Sequence, residues 1–289
     1  MPSIRLIPRF SFSLFLMCFL LPVLAAQSPW ARSKAGFYGQ AGFHFIPKYT
    51  VLFGKNNEDI ELIREVSEQT AQWYAEYGLT DRNTLVLSLP VRFVHRGGRN
   101  PNSNLMFARE DTGSVSGLGN VSIAVRHQFL TGKVALGGTL RLDFPSDHSR
   151  LSAGLRTGFN AFTVQPSISV GMSNAHGYWF GYGGFVFRTN QYSHVVNSGG
   201  EAGLRIGPVW IIGFSDLLLS VGNGARKLTP LDALTGLYDN DQGWLSVGIK
   251  GIWQLNRFVG IVVSGAGAVW AQYVPESPGI GMAVFFKWE

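Results

Sequence analysis

The chain has 289 residues, of which 15% are charged, against roughly 25% in an ordinary soluble domain. It carries 36 glycines and is 13% aromatic, which excludes a disordered chain and a soluble helical bundle, while an ordinary hydrophobic fraction of 46% excludes a polytopic helical membrane protein. The formal net charge of +6 is too mild to imply a nucleic-acid partner.

The N-terminus has the make-up of a secretory signal. Arg5 and Arg9 form a short positive region, Phe10–Leu24 is almost wholly apolar, and Leu24-Ala25-Ala26 offers a small-residue cleavage site. The apolar run is shorter than the roughly 20 residues that a spanning helix needs. Residues 1–26 are therefore expected to be cleaved, leaving 27–289 as the exported domain. The single cysteine, Cys18, lies inside the signal and follows Leu16-Met17, a context that disfavours lipidation. The exported part has no thiol chemistry and no disulfide.

Beyond the signal no apolar run is long enough for a transmembrane helix. The sequence alternates instead. In chain order, Leu85, Leu87, Leu89, Val91 and Phe93 oppose Thr84, Val86, Ser88, Pro90 and Arg92. Val121, Ile123, Val125, His127 and Phe129 oppose Ser122, Ala124, Arg126 and Gln128. Val134, Leu136, Leu140, Leu142 and Phe144 oppose Ala135, Gly137, Thr139, Arg141 and Asp143. Val164, Ile168, Val170 and Met172 oppose Thr163, Gln165, Ser167, Ser169 and Gly171, and Leu245, Val247 and Ile249 oppose Trp244, Ser246, Gly248 and Lys250. Such period-2 segments have the length that crosses a bilayer at a tilt.

Twelve strands are predicted, near 37–47, 68–78, 83–94, 118–130, 133–144, 159–173, 177–188, 200–206, 209–221, 243–255, 258–271 and 279–288. Their connections alternate between long (Lys48–Ser67, His95–Gly117, Pro145–Gly158, Thr189–Gly199, Gly222–Gln242) and short (Leu79–Arg82, Thr131–Gly132, Asn174–His176, Gly207–Pro208, Asn256–Arg257). Alternation of this kind marks an outer-membrane barrel rather than a Greek-key sandwich. The expected fold is all-β: one closed antiparallel transmembrane barrel with both termini periplasmic. Trp73, Trp179, Trp210, Trp253 and Trp288 fall toward the turn ends and Trp244 and Trp270 toward the loop ends, as two aromatic girdles would. The last strand alternates Met282, Val284, Phe286 and Trp288 outward, the form of a C-terminal signal read by the barrel-assembly machinery, with Glu289 one residue past the usual aromatic end.

Two segments carry a family resemblance. Tyr77-Gly78-Leu79-Thr80-Asp81-Arg82 with Leu85–Pro90, and Ser116-Gly117-Leu118-Gly119-Asn120, resemble motifs of the phenol-degradation (MetA-pathway) outer-membrane family, with Asn120 where that family usually has Asp. The resemblance implies a barrel passing aromatic or other hydrophobic compounds, without a defined catalytic site. By themselves, Gly78 and Asp81 suit a tight turn, and Gly117 and Gly119 a loop-to-strand bend.

The inward faces are expected to carry Arg92, Arg126, Arg141, Arg205, Lys250 and Lys287, with the acids Glu76, Asp143 and Glu201. They either pair into a network that fills the lumen or line a narrow pore. Asp143 lies within bridging reach of Arg141, and Arg126 is expected either to look across the lumen to Glu201 or Glu76 or to remain free as an anion contact. Inward Gly137, Gly171 and Gly248 leave space. Ser193-His194 and His148-Ser149 are the rim pairs that a hydrolase would need, but adjacent residues on an extended segment point apart, so no enzyme is expected, and no cofactor or metal. The function expected is a narrow pore or transporter for small hydrophobic or aromatic molecules; the alternative is a non-transporting barrel, either a rim hydrolase or a scaffold. Expected partners are outer-membrane lipid, the assembly machinery and an unidentified small solute.

Overall fold

The computed structural model describes residues 27–55, 58–103, 111–146, 148–228 and 233–289. The signal at 1–26 and short stretches of four of the long loops lie outside the described residues. No helix among the described residues is long and apolar enough to cross a membrane; the crossing elements are strands.

The strands are β1 (Phe37–Phe53), β2 (Asp59–Thr80), β3 (Asn83–Arg99), β4 (Gly113–Leu118), β5 (Ser122–Leu130), β6 (Val134–Asp143), β7 (Ser149–Arg150), β8 (Leu155–Arg156), β9 (Thr163–Ser173), β10 (Gly177–Arg188), β11 (Val195–Ile206), β12 (Val209–Ser220), β13 (Gly243–Gln254), β14 (Val259–Gln272), β15 (Val274–Pro275) and β16 (Gly279–Trp288). Each wall strand pairs antiparallel with its neighbours in sequence. β4 and β5 form one interrupted strand that follows β3. β1 pairs with both β2 and β16, Phe37 lying opposite Tyr77 on one side and Trp288 on the other. That double pairing closes a twelve-stranded barrel and removes the apolar edge that an open β16 would expose.

The wall departs from the predicted ranges in several places: the fourth strand starts at Gly113 instead of 118 and breaks between β4 and β5, and the sixth starts at Thr163 instead of 159. β1, β2 and β3 run well past the predicted ends. Lys48, Asp59, Glu61, Arg64 and Glu65 read as loop, yet the ladder continues through Phe53↔Asp59 and Arg64↔Arg99, because beyond the hydrocarbon a strand tolerates charge on either face. The short eighth strand is the full-length β11; its first half, Val195–Gly199, reads as loop because Asn197, Ser198 and Gly199 lack apolar alternation. In the β5–β6 hairpin Arg126 lies opposite Thr139 and Ala124 opposite Arg141. The two arginines are thus two positions apart along the pair, not the four that a tight Thr131–Gly132 turn implies, because the connection is longer and the ladder slips near Gln128.

Alternation sorts the side chains as expected. Leu87, Leu89, Ile123, Val125, Ile168, Val170, Val263, Met282 and Phe286 are exposed, and Leu85 and Leu142 are half-exposed, while Thr84, Val86, Ser88, Ser122, Ala124 and Arg126 are buried inward. Ile249 is 62% exposed and Met282 61%, values that only a hydrocarbon surrounding makes favourable. Trp73, Trp179, Trp253, Trp270 and Trp288 stand on the outside. Trp210 and Trp244 do not belong to the girdles; both line lumen cavities, since their positions share the inward parity of Ile212 and Ser246. His127, on the outer face near a turn, is held by Asn83 at 2.8 Å and by an edge contact with Phe129.

Leu140 is 51% exposed on the outer face of β6. Leu140→Arg should cost about 2–4 kcal/mol in a bilayer if the site is near mid-depth, measured by urea unfolding in phospholipid vesicles. Unchanged stability would contradict the assignment of this face to lipid.

Candidate functional site

The lumen is the one space that a closed barrel keeps from lipid, and its contents are built from both ends. The segment before β1 does not hang below the barrel; it runs up inside it. Its root is fastened by Ala35 N–H to the Gly78 carbonyl at 2.8 Å and Gly78 N–H to the Gly36 carbonyl at 2.9 Å, and by Lys34 N–H to Asp81 Oδ1 at 2.9 Å. Any side chain at Gly78 would collide with the backbone of Ser33, 1.8 Å from where a Cβ would sit. Gly78 is therefore a point of close approach, and Asp81 is an anchor as well as a turn residue.

Higher up, Arg32 N–H donates to Thr84 Oγ1 at 2.8 Å and Ala31 N–H to Gln128 Oε1 at 3.0 Å. Trp30 packs edge-on to Tyr178 and Phe180, both at 5.9 Å. The inward glycines make room for this segment rather than for solvent. A Cβ on Gly137 would lie 2.8 Å from the Pro29 carbonyl oxygen, and one on Gly171 3.0 Å from the Trp30 ring. At Gly248 the space is taken by Phe214.

The charges follow from enclosure: a carboxylate or guanidinium inside the wall needs a partner. Glu76, 3% exposed, accepts from Arg32 Nε at 2.7 Å, from Arg126 Nη2 at 3.0 Å and from the Tyr74 hydroxyl. Arg126, 1% exposed, also donates to the Trp30 carbonyl at 2.9 Å. Arg126 thus reaches Glu76, one of the two acids within its view, and the pair clamps the N-terminal segment. Arg141 bridges Asp143 at 2.6 Å. Glu201 takes Lys250 at 2.7 Å and the Tyr178 hydroxyl at 2.6 Å. Arg92 lies 3.6 Å from Glu68, donates to the Thr157 carbonyl at 3.0 Å and stacks on Tyr238 at 4.4 Å. Two predicted residues stand at the rim instead: Arg205 is exposed at its turn and bonds the Gly207 carbonyl, and Lys287 sits half-buried opposite Tyr38. Sequence reasoning missed Arg32, Glu68, Arg188, Asp216 and His44, all of which line the lumen. Inward parity could have found Glu68, Arg188 and Asp216; nothing in the sequence announces Arg32.

The opposite mouth is closed by loops. Leu234 and Leu237 from the 222–242 loop, and Ala153 and Leu155 from the 145–158 loop, join Ile46, Tyr49, Leu52, Leu62, Val66 and Val94 of the extended β1–β3 sheet in one apolar core. The Tyr49 hydroxyl donates to the Thr235 carbonyl at 2.7 Å, and the Tyr238 hydroxyl to Glu68 at 2.8 Å. Burial pushes the Tyr238 phenol well above its ordinary value, so it serves as a neutral donor. Asn120 ties the 145–158 loop to the wall: its amide donates to the Phe144 and Phe159 carbonyls and its oxygen accepts from Phe159 N–H, all within 2.8 Å.

Among the described residues two cavities stand out inside the barrel. One of about 250 Å³ lies under the loops, lined by Arg92, Arg141, Arg188, Asp216, Tyr182 and Trp244 among others. The second, about 450 Å³, lies toward the turns beside Trp30, Tyr38, Glu76, Arg126 and Trp210. His44 borders both, with Gln27 and Tyr182 on the first and Ser28 and Phe180 on the second, so the Gln27–Arg32 segment and the Phe180–Tyr182–Phe214 cluster packed on Trp30 stand between them.

The rim pairs form no nucleophile–base arrangement. Ser193 donates to Asp241 and accepts from Gly224 N–H, while the His194 ring accepts from Arg188 N–H and packs on Phe187. His148 fills the space under Gly117, and Ser149 is exposed in β7. Asp239 bridges Arg156 at 3.1 Å.

No family model and no curated protein matches the chain. Among solved structures, an outer-membrane channel from Pseudomonas putida F1 is similar with a TM-score of 0.66 and 12% identity, covering 93% of this chain and all of that one. The NanC porin is similar with a TM-score of 0.52 and 7% identity, covering 87% of this chain and all of that one. Identities this low speak to architecture alone: the chain has the barrel fold that this channel and this porin share.

Proposed function

We propose that the protein is an outer-membrane passage for small hydrophobic or aromatic molecules, with the Gln27–Arg32 segment as its gate. One observation carries the reading. Two solute-sized cavities lie inside the closed wall, and what separates them is a short stretch of chain, Gln27–Arg32, packed through Trp30 against the wall rings Phe180, Tyr182 and Phe214. The gate is held by Glu76 acting on Arg32 and Arg126, so a small rearrangement of ion pairs would connect the cavities. Aromatic and apolar walls alternating with polar groups suit solutes that are neither fully hydrophilic nor fully apolar. The channel and porin names of the two similar structures agree with passage, as does the resemblance to the phenol-degradation family. In this reading the protein is exported by its signal peptide to the outer membrane of a Gram-negative bacterium. It is inserted there by the assembly machinery through β16, with lipid as its permanent partner.

The reading is tested in planar bilayers with the refolded protein. Wild type should give a small conductance with brief openings. Glu76→Gln removes the acceptor charge from both arginines and should raise the open probability severalfold. Silence of both proteins would favour a non-transporting barrel.

The same substitution has a cost. Breaking a buried pair leaves uncompensated charge, worth about 3–5 kcal/mol. Glu76→Gln should therefore lower the urea midpoint in vesicles, and an unchanged midpoint would show that the cluster does not hold the lumen together.

A further inference from the structure

The inward carboxylates of the lumen are not equivalent. Among the described residues Glu68, Asp143, Glu76 and Glu201 each face an arginine or lysine within ion-pair distance. Asp216, on β12 and 3% exposed, forms no such pair. It is fixed by donors that carry no charge: the Tyr182 hydroxyl on one oxygen and Trp244 Nε1 on the other, the latter at 2.8 Å. A buried carboxylate held this way keeps its orientation but not its electroneutrality.

Its surroundings add a second observation. Gln27 and Asn197, 8% and 5% exposed, line the same loop-side cavity, and each keeps a buried amide oxygen with no hydrogen-bond partner. The remaining wall near Asp216 is aromatic and aliphatic: Trp244, Tyr182, Val186 and Leu218. Arg92 and Arg141 are matched by Glu68 and Asp143. Arg188 stacks on Phe159 at 4.1 Å, six residues along β10 from Tyr182, roughly 20 Å of strand. The Asp216 end of the cavity is therefore its anionic pole.

We infer that the loop-side cavity binds an organic ammonium ion, with the charged nitrogen against Asp216 and the apolar body against Val186 and Leu218. A cation of this class balances the carboxylate, is favoured by the aromatic faces of Trp244 and Tyr182, and gains from burying its hydrocarbon. A bare calcium ion fits poorly: it wants six to eight oxygens, more than the Asp216 carboxylate and the Gln27 and Asn197 amide oxygens supply together. The volume of about 250 Å³ is close to the lower end of small-ligand pockets, roughly 300 Å³, and suits a compact amine. The inference deepens the transport reading and rests on it for its biological meaning, but binding is measurable apart from flux.

The test is equilibrium dialysis of the refolded protein in nanodiscs at neutral pH against three probes of similar size: benzylammonium, benzyl alcohol and benzoate. Wild type should bind benzylammonium at least tenfold more tightly than either other probe, and Asp216→Asn should bring benzylammonium down to the level of benzyl alcohol. Equal binding of the ammonium and the alcohol by wild type would mean a protonated Asp216 and would overturn the inference, as would tighter binding of benzoate. A preference that survives Asp216→Asn would overturn it too. The wild-type comparison decides even where the variant fails to fold. Vesicle flux of the same probes is read separately: binding without flux keeps the inference and removes the transport reading.

Discussion

Everything in this molecule depends on the pairing of β1 with β16. In hydrocarbon a backbone N–H or C=O without a partner costs several kcal/mol, so a spanning sheet must have no edge. The Phe37↔Trp288 to Phe45↔Ile280 ladder supplies the last row of hydrogen bonds, and the stacked Phe37 and Trp288 rings, 4.4 Å apart, fasten its end. Closure then dictates the rest. One face of every strand must be apolar, the other becomes the wall of a sealed volume, and each charge in that volume must be balanced from inside. The Glu76 cluster, the Arg141–Asp143 bridge and the Lys250–Glu201 bridge are consequences of enclosure. Asp216 is the place where the balancing is left incomplete.

The parts of the fold that were legible in the sequence are those that lipid enforces. Leu85, Leu87 and Leu89, or Leu140 and Leu142, alternate because each outward position meets hydrocarbon, and the period gives strand, face and approximate ends together. The short turns follow from the same pattern, since Gly207-Pro208 or Asn256-Arg257 interrupts it for only two residues. Enclosure also made one pairing legible, since Arg141 and Asp143 share one strand face; Arg126 finds its acid not across the lumen but two strands along the wall, with β3 between it and Glu76.

What was not legible is what lipid does not touch. Ser28–Lys34 has no period because it is neither strand nor helix; its conformation is fixed by groups distant in sequence, Thr84, Gln128 and Glu76. Gly137 and Gly171 look like empty space until the segment that fills it is known. Trp210 and Trp244 were misplaced in the girdles because tryptophan suits an interface and a cavity wall equally, and only strand parity separates the two. The long outer strands were hidden by charge, which outside the bilayer carries no information about strand or loop. The two family-like segments look like turn chemistry, yet Gly78 and Asp81 root the inner segment and Asn120 fastens a loop. They are the places where the wall holds its contents.

The central claim is that Gln27–Arg32 occupies the lumen and limits passage through it, and Gly137 tests this by the sign of one effect. A methyl group there would sit within 3 Å of the Pro29 backbone, so wall and segment cannot both keep their places. Single-channel conductance of Gly137→Ala should exceed that of wild type, because the added carbon pushes the segment out of the path. If the lumen were instead an open pore, the same carbon would narrow it. A conductance that is lower or unchanged in the correctly folded variant would contradict the account.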